Sequence, residues 1–365
     1  MLATLLSLAL LTNGAALITE LQTTPPAPTQ NAAAILSPAE ISDLQKKADA
    51  GDPAAQYALG KAYESANGVP HRTDQAAIWY RKSADQGNEK AQNALAVLYW
   101  LGDGVERDKT EAVRWYRKAA RQGNANAMFN LGAAYYNGEG VNTDDTLAFA
   151  WFLLSAAAGN SSGQDAAQRS ATEHGRGSYS DACIAIGQMY EKGDELPKNT
   201  DSAIAWYRKA VDRGSVQAKL GLASVYLNTS DYQQARHLCE SAAKEKISGG
   251  YFCLGYLFQK GYGVAPDPKK AFNWYDLAAR DGNATAMLTL AGMYEKGEGT
   301  KPDRAEAFVW FFLASRRGQP EAAAEARRIR SSMTAKEWKD AQKKLPFDPK
   351  AIDKSLEDSS TPRTP

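Results

Sequence analysis

Apolar and polar positions alternate along this chain with a helical spacing that restarts about every 36 residues. Ala55, Leu59 and Tyr63 form one apolar stripe; Ala91, Leu95, Tyr99 and Ala127, Leu131, Tyr135 repeat it. Steps of four keep these side chains on one face of a helix. A second stripe follows each, reading Ala-x-x-Trp-aromatic-x-x-Ala/Ser-Ala, as in Ala112-Trp115-Tyr116-Ala119-Ala120 and Ala271-Trp274-Tyr275-Ala278-Ala279. Trp79, Trp115 and Trp151 are 36 apart, as are Trp274 and Trp310, with Trp206 between the two sets. The units run Gly51–Gln86, Gly87–Gln122, Gly123–Ala158, Ser178–Arg213, the shortened Gly214–Glu245, Lys246–Asp281 and Gly282–Arg317. A fixed period in this range marks a solenoid whose units pack on their neighbours.

Within each unit the two stripes are joined by a glycine loop such as Gly102-Asp103-Gly104-Val105 or Gly138-Glu139-Gly140-Val141. Glycine supplies the positive φ that ends a helix, and no strand or Lys-Ser/Thr pair makes the loop a phosphate cradle. Gly60, Gly132, Gly187 and Gly255 follow the stripe's Leu or Ile in mid-helix. Glycine there costs about 1 kcal/mol against alanine, so its recurrence predicts a close approach between helices. The recurring Trp is read as a core knob, because a solenoid needs one packing contact many times over. The fifth unit departs most: it lacks the Gly-x-Gly loop and has Leu238 at the Trp position.

The runs Ala127-x3-Leu131-Gly132-x2-Tyr135, Gly-x-Gly-Val and Ala-x2-Trp-Tyr-x2-Ala-Ala, recurring in register over residues 51–317, resemble the Sel-one-like repeat (SLR) family, a branch of the tetratricopeptide superhelices. The resemblance implies an all-α, right-handed α-solenoid of about seven helix-turn-helix repeats with capping helices at both ends. It also implies that the first helix of each repeat lines a concave face, and that members serve as adaptors in protein quality control, envelope signalling and exopolysaccharide assembly; a few have been credited with enzymatic or sugar-linked roles. Some members are disulfide-stapled between consecutive helices at a shorter spacing than any cysteine pair here.

Outside the repeats, residues 1–18 are largely apolar and lack Lys and Arg; Leu2–Leu11 reads as the core of a secretory signal or membrane anchor, although the basic leader is missing. Residues 19–36, with three prolines between Thr23 and Gln30, read as a linker. Ser37-Pro38-Ala39-Glu40 is a helix start with a capping box and opens a half-repeat that precedes the first three repeats (37–158). Residues 159–177 are an insertion, with Gln164–Thr172 helical and Gly175–Gly177 a loop, read either as a hinge near residue 165 or as a tolerated surface loop. Repeats 4–7 occupy 178–317. Ala148-Phe149-Ala150-Trp151-Phe152, before the insertion, is matched by Ala307-Phe308-Val309-Trp310-Phe311, before a helical tail at 318–345. Residues 346–365 are expected to be disordered.

Composition narrows the function classes. With 43 basic and 42 acidic residues and a net charge of +1, the chain has no electrostatic footprint for nucleic acid; a membrane is expected only through the N-terminal segment. His71, His174 and His237 have no partner at metal-ligand or triad spacing, so no metal, cofactor or catalytic residue is expected. Gly159-x-Ser161-x-Gly163 has the form of a nucleophile elbow but follows a helix, where the elbow requires a strand. Of Cys183, Cys239 and Cys253, the last two fall on helices expected to be neighbours; buried free thiols are the expectation, with a bridge as the alternative in an exported chain. Asn160, Asn228 and Asn283 are formal glycosylation sequons.

The binding face is sought at the fourth, eleventh and fourteenth residues of each unit, opposite the core stripe. There Trp100, Tyr136, Leu227 and Tyr256 are large apolar groups that the repeat does not demand, among residues such as Lys61, Glu64, Gln188 and Glu191. Exposed aromatics of this kind are candidate anchors for a partner. The expected function is a non-catalytic scaffold that binds a protein or peptide partner, in an exported, periplasmic or secreted setting; the alternative is a hydrolase or carbohydrate-linked envelope protein.

Overall fold

The structure, a computed structural model, describes residues 35–172, 178–345 and 352. The signal-like segment, nearly all of the linker, His174 and the Gly175–Gly177 loop lie outside them. The described residues form helices and no strand. A half-repeat helix, α1 (Pro38–Asp49), precedes three repeats: α2 (Pro53–Ser65) with α3 (Thr73–Asp85), α4 (Glu89–Leu101) with α5 (Lys109–Arg121), and α6 (Ala125–Asn137) with α7 (Asp145–Ala157). Next come α8 (Ser161–Thr172) and repeat 4, α9 (Tyr179–Lys192) with α10 (Thr200–Val211). Then follow α11 (Val216–Asn228) with α12 (Tyr232–Lys244), α13 (Ser248–Lys260) with α14 (Pro268–Arg280), α15 (Ala284–Lys296) with α16 (Arg304–Arg316), and finally α17 (Pro320–Ser332) and α18 (Ala335–Lys344). This is an all-α repeat solenoid. The described residues divide into two compact units, one up to Trp206 and one from Tyr207.

Local chemistry sets the helix ends. Ser37 and Glu40 close the anticipated capping box, the Ser37 N–H donating to Glu40 Oε2 at 2.8 Å and the Glu40 N–H to Ser37 Oγ at 3.3 Å. First helices start on a side-chain cap such as Asn88, Asn124 or Asn283. The second helices α5, α7, α14 and α16 start on an aspartate, Asp108, Asp144, Asp267 or Asp303, whose Oδ1 accepts from the third helical N–H, whereas α3 follows Arg72 without a side-chain cap. Each cap satisfies an otherwise orphaned donor and contributes about 1 kcal/mol. The loop glycines end the first helices: Gly102 and Gly138 have φ of 78° and 69°.

The close approach expected at the mid-helix glycines is present. A Cβ on Gly60, Gly132 or Gly255 would lie 2.5–2.8 Å from the ring of Tyr80, Phe152 or Tyr275, which rests on the bare backbone. Trp79, Trp115, Trp151, Trp206 and Trp310 are buried, as the knob reading requires, while Trp274 is half-buried. Arginines link successive repeats: Arg117 Nη2 donates to the Tyr135 hydroxyl at 2.7 Å and Arg208 Nη2 to that of Tyr226 at 2.6 Å. Amides join the first repeats to each other and to α1. Gln56 Nε2 donates to the Ala48 carbonyl and Gln92 Nε2 to that of Ala84, both at 3.1 Å, while Gln86 and Gln122 donate to Gln56 and Gln92.

Of the insertion, residues 161–172 are described and are helical, as expected for Gln164–Thr172, while residues 173–177 lie outside the described residues. Asp165 lies inside α8, which packs through Gly163, Ala166, Ala167 and Ser170. Its neighbour α7 is apolar on all sides, with Phe149, Ala150, Trp151, Phe152 and Leu154 buried together, because it carries both α8 and α9. The arrangement recurs in the second unit. There α16 buries Phe308, Val309, Trp310, Phe311 and Phe312 beneath α17 and α18. Edge-on ring pairs complete both: Phe149 with Tyr179 at 6.1 Å, and Phe308 with Trp338 at 5.3 Å. An all-round apolar helix is therefore the signature of a helix that accepts two layers rather than one. Of residues 346–365, expected to be disordered, only Ile352 is described; it is fully buried in the apolar cluster of the second unit.

Candidate partner-binding surface

The two residues proposed for the binding face of the first unit prove unlike one another. Trp100 is only 5% exposed. Its ring lies 6.2 Å from that of Tyr116, and Lys109 Nζ sits 5.0 Å from its centroid while pairing with Glu139. The premise that Trp100 is an exposed group without a structural duty is therefore corrected: it fills the space between the two helices of its own repeat. Tyr136, at the same position of the next repeat, is half-buried.

For Trp100 the reason is a pairing seen in repeats 1, 2 and 6 that the period alone conceals: there the fourteenth residue meets the aromatic that follows the Trp. Where that aromatic is a buried tyrosine, the fourteenth residue can accept its proton: Tyr80 Oη donates to Glu64 Oε2 at 2.6 Å, and Tyr275 Oη to Gln259 Oε1 at 2.9 Å. At Tyr116 the partner is the Trp100 ring instead. The readable signal was the co-occurrence of Tyr with Glu or Gln at this separation. Burial raises the pKa of all three phenols, and the Glu64 carboxylate adds to the effect at Tyr80. An ionised ring at these places would lose its hydration.

In the second unit, Leu227 and Tyr256 are both half-buried. Tyr256 packs edge-on against Tyr262 at 5.8 Å, and Tyr262 stacks on Tyr232 at 4.6 Å. This stack occupies the place that the Lys109–Glu139 ion pair takes in repeats 2 and 3. Tyr232 and Tyr262 were missed because each belongs to a loop or helix start, outside the two stripes.

The cysteine expectation is also corrected. Cys239 and Cys253 are joined in a disulfide with Cα atoms 5.8 Å apart, which covalently ties α12 to α13, while Cys183 is a buried free thiol. The Gly159-x-Ser161-x-Gly163 run is a helix start: Asn160 Oδ1 accepts the Gly163 N–H at 2.7 Å, and Gly163 packs on Ser155. His71 Nδ1 lies 2.8 Å from the Glu64 carbonyl, and His237 is exposed. Among the described residues no group of His, Cys, Asp and Glu is placed to hold a metal, and no helix is long and apolar enough to cross a membrane.

Stacked helix pairs that present side chains of their first helices define the class as a repeat solenoid of the tetratricopeptide type. The sequence profile of the Sel1 repeat matches seven segments, residues 53–88, 89–124, 125–160, 180–215, 217–246, 250–283 and 284–319, and the chain belongs to this family. It is 31% identical over 111 residues to chitin synthase regulatory factor 3 of Schizosaccharomyces pombe, a match covering 28% of this chain and 12% of that protein. It is 28% identical over 99 residues to the ERAD-associated E3 ubiquitin-protein ligase component HRD3 of Candida glabrata, covering 26% and 12%. The match thus spans about an eighth of each of these relatives. Among solved structures, a protective antigen present in uropathogenic Escherichia coli strains, described as displaying an SLR fold, is 27% identical, with 88% of this chain and 72% of that chain covered and a TM-score of 0.43.

Proposed function

We propose that the chain is a non-catalytic adaptor that holds a protein or peptide partner on the first-helix faces of its repeats. The observation that carries this reading is the half-buried apolar set Tyr136, Leu227 and Tyr256, at positions where other repeats place Lys61, Gln188 or Glu191. A ring already fixed on one side by its own repeat loses little side-chain entropy when a partner covers the other, which is how aromatic anchors contribute to affinity. The family supports the same reading: two relatives are named as a regulatory factor and as a ligase component, roles exercised through other proteins. We place the adaptor in the cell envelope or outside the cell. The apolar segment Leu2–Leu11 and the Cys239–Cys253 bridge support this location, since disulfides persist in oxidising compartments.

A photo-cross-linking residue introduced at Tyr136 or Tyr256, in the native organism, tests the surface. Capture of a defined partner from either position, and none from exposed Lys339 on α18, is the expected result. Equal labelling from all three positions would remove the assignment. Fractionation, together with the N-terminal sequence of the mature protein, tests the location.

A further inference from the structure

The disulfide lies where the repeat pattern is most depleted. In six repeats the residue after the Trp is a buried ring: Tyr80, Tyr116, Phe152, Tyr207, Tyr275 or Phe311, each at most 6% exposed. In the fifth, Leu238 replaces the Trp and fully buried Cys239 replaces the ring. Cys253 stands at the eighth position of the next repeat, where four others carry the small residues Ala58, Ala94, Ala185 and Gly221 and two carry Asn130 and Thr289. In the fifth repeat that position receives the ring of the preceding repeat: a Cβ on Gly221 would lie 2.6 Å from Tyr207 Cε1. The Cys239–Cys253 bond therefore replaces, covalently, a ring contact between successive repeats. The backbone has closed up to make it. Gly250 stands where every other repeat has alanine, and a Cβ there would meet Ala243 N at 2.5 Å.

A solenoid is held by nearest-neighbour interfaces, so one weakened interface lowers the stability of the elements on either side. Without the bond, α12 meets α13 with two sulfurs in place of a ring and with no Trp behind them. The repeat also lacks the glycine loop that packs on the preceding repeat elsewhere, as Gly104 does on Thr73. We propose that Cys239–Cys253 is a redox-operated fastener: its reduction selectively loosens α11 to α13 and leaves the repeats of the first unit ordered. The reductant is a dithiol. One of its thiolates attacks a sulfur of the bond, its second thiol resolves the mixed disulfide, and the two electrons and two protons end on Cys239 and Cys253 as thiols while the dithiol becomes a cyclic disulfide.

Hydrogen exchange read by mass spectrometry on the full chain, with and without dithiothreitol, tests this. The expected result is at least a tenfold faster exchange in peptides from 216–260 on reduction, with peptides from 53–157 changed less than twofold. The variant C239A/C253A should show the fast pattern without reductant and no further response to it, whereas C183A should behave as wild type. Alkylation of the unreduced, denatured chain should label one cysteine. Labelling of all three, exchange in 216–260 that reduction leaves within twofold, or a uniform increase across both units would each overturn the proposal.

Discussion

Replacing Trp100 with alanine separates a structural duty from a binding one. An exposed anchor could be truncated with little effect on folding, whereas the structure buries this ring to 5% exposure against Tyr116 and beneath Lys109. Truncating a buried Trp costs about 3–5 kcal/mol through lost transfer energy and the cavity left behind. The ring pair and the cation over the face account for about 1–2 kcal/mol of that. Trp100 lies at the end of α4 rather than at its centre, so the neighbours can partly collapse, and the expected loss is about 3 kcal/mol. For a folding unit of this size that is a fall in Tm of roughly 6–12 °C. Urea denaturation followed by far-UV circular dichroism measures it, with Tyr136→Ala as the comparison. The half-buried Tyr136 should lose less than half as much. A Trp100→Ala loss below about 1 kcal/mol would refute the packing argument and return Trp100 to the candidate binding surface.

Further outcomes follow from the same geometry. Gly132→Ala should destabilise by about 1–2 kcal/mol, because its Cβ would strike the Phe152 ring at 2.5 Å and overpacking outweighs the gain in helix propensity. Gly292→Ala, with nothing within 4 Å of the new Cβ, should stabilise by up to about 1 kcal/mol; thermal melts of the two variants must differ in sign. Tyr294 is pushed up to about 12 by burial from an ordinary value of 10.0, and Tyr80, Tyr116 and Tyr275 are raised in the same direction. A raised folded-state pKa gives stability that is complete below pH 10 and is lost as pH climbs through the folded value. Tyrosinate absorbance at 295 nm should therefore rise in two steps, the second coinciding with alkaline unfolding; a single step near pH 10 with the fold intact would contradict the burial. Trp338→Ala, removing the ring over Phe308 and Arg330, should cost about 2 kcal/mol and increase exchange in α17 and α18, read by hydrogen exchange.

The sequence determined by itself the repeat, its helix pairs and the role of its tryptophans. A 36-residue recurrence of apolar stripes needs only short-range periodicity to be seen, and each repeat buries its face against the next. Cap signals such as Ser37 and Glu40 were legible for the same reason, being confined to one turn of helix. Tertiary structure decided whatever depends on contacts between stripes. It buried Trp100 against Tyr116 and left Tyr136 half-buried, although both hold the same position in the repeat. It packed Ser161–Thr172, within the insertion, as a helix on the all-apolar α7, whose composition announced the burial without saying what would cover it. It paired Cys239 with Cys253, which lie 14 residues apart, because the helices close up across the missing ring. A periodic pattern fixes which face of a helix is turned inward; only the assembled stack fixes which side chain on a neighbouring helix it meets.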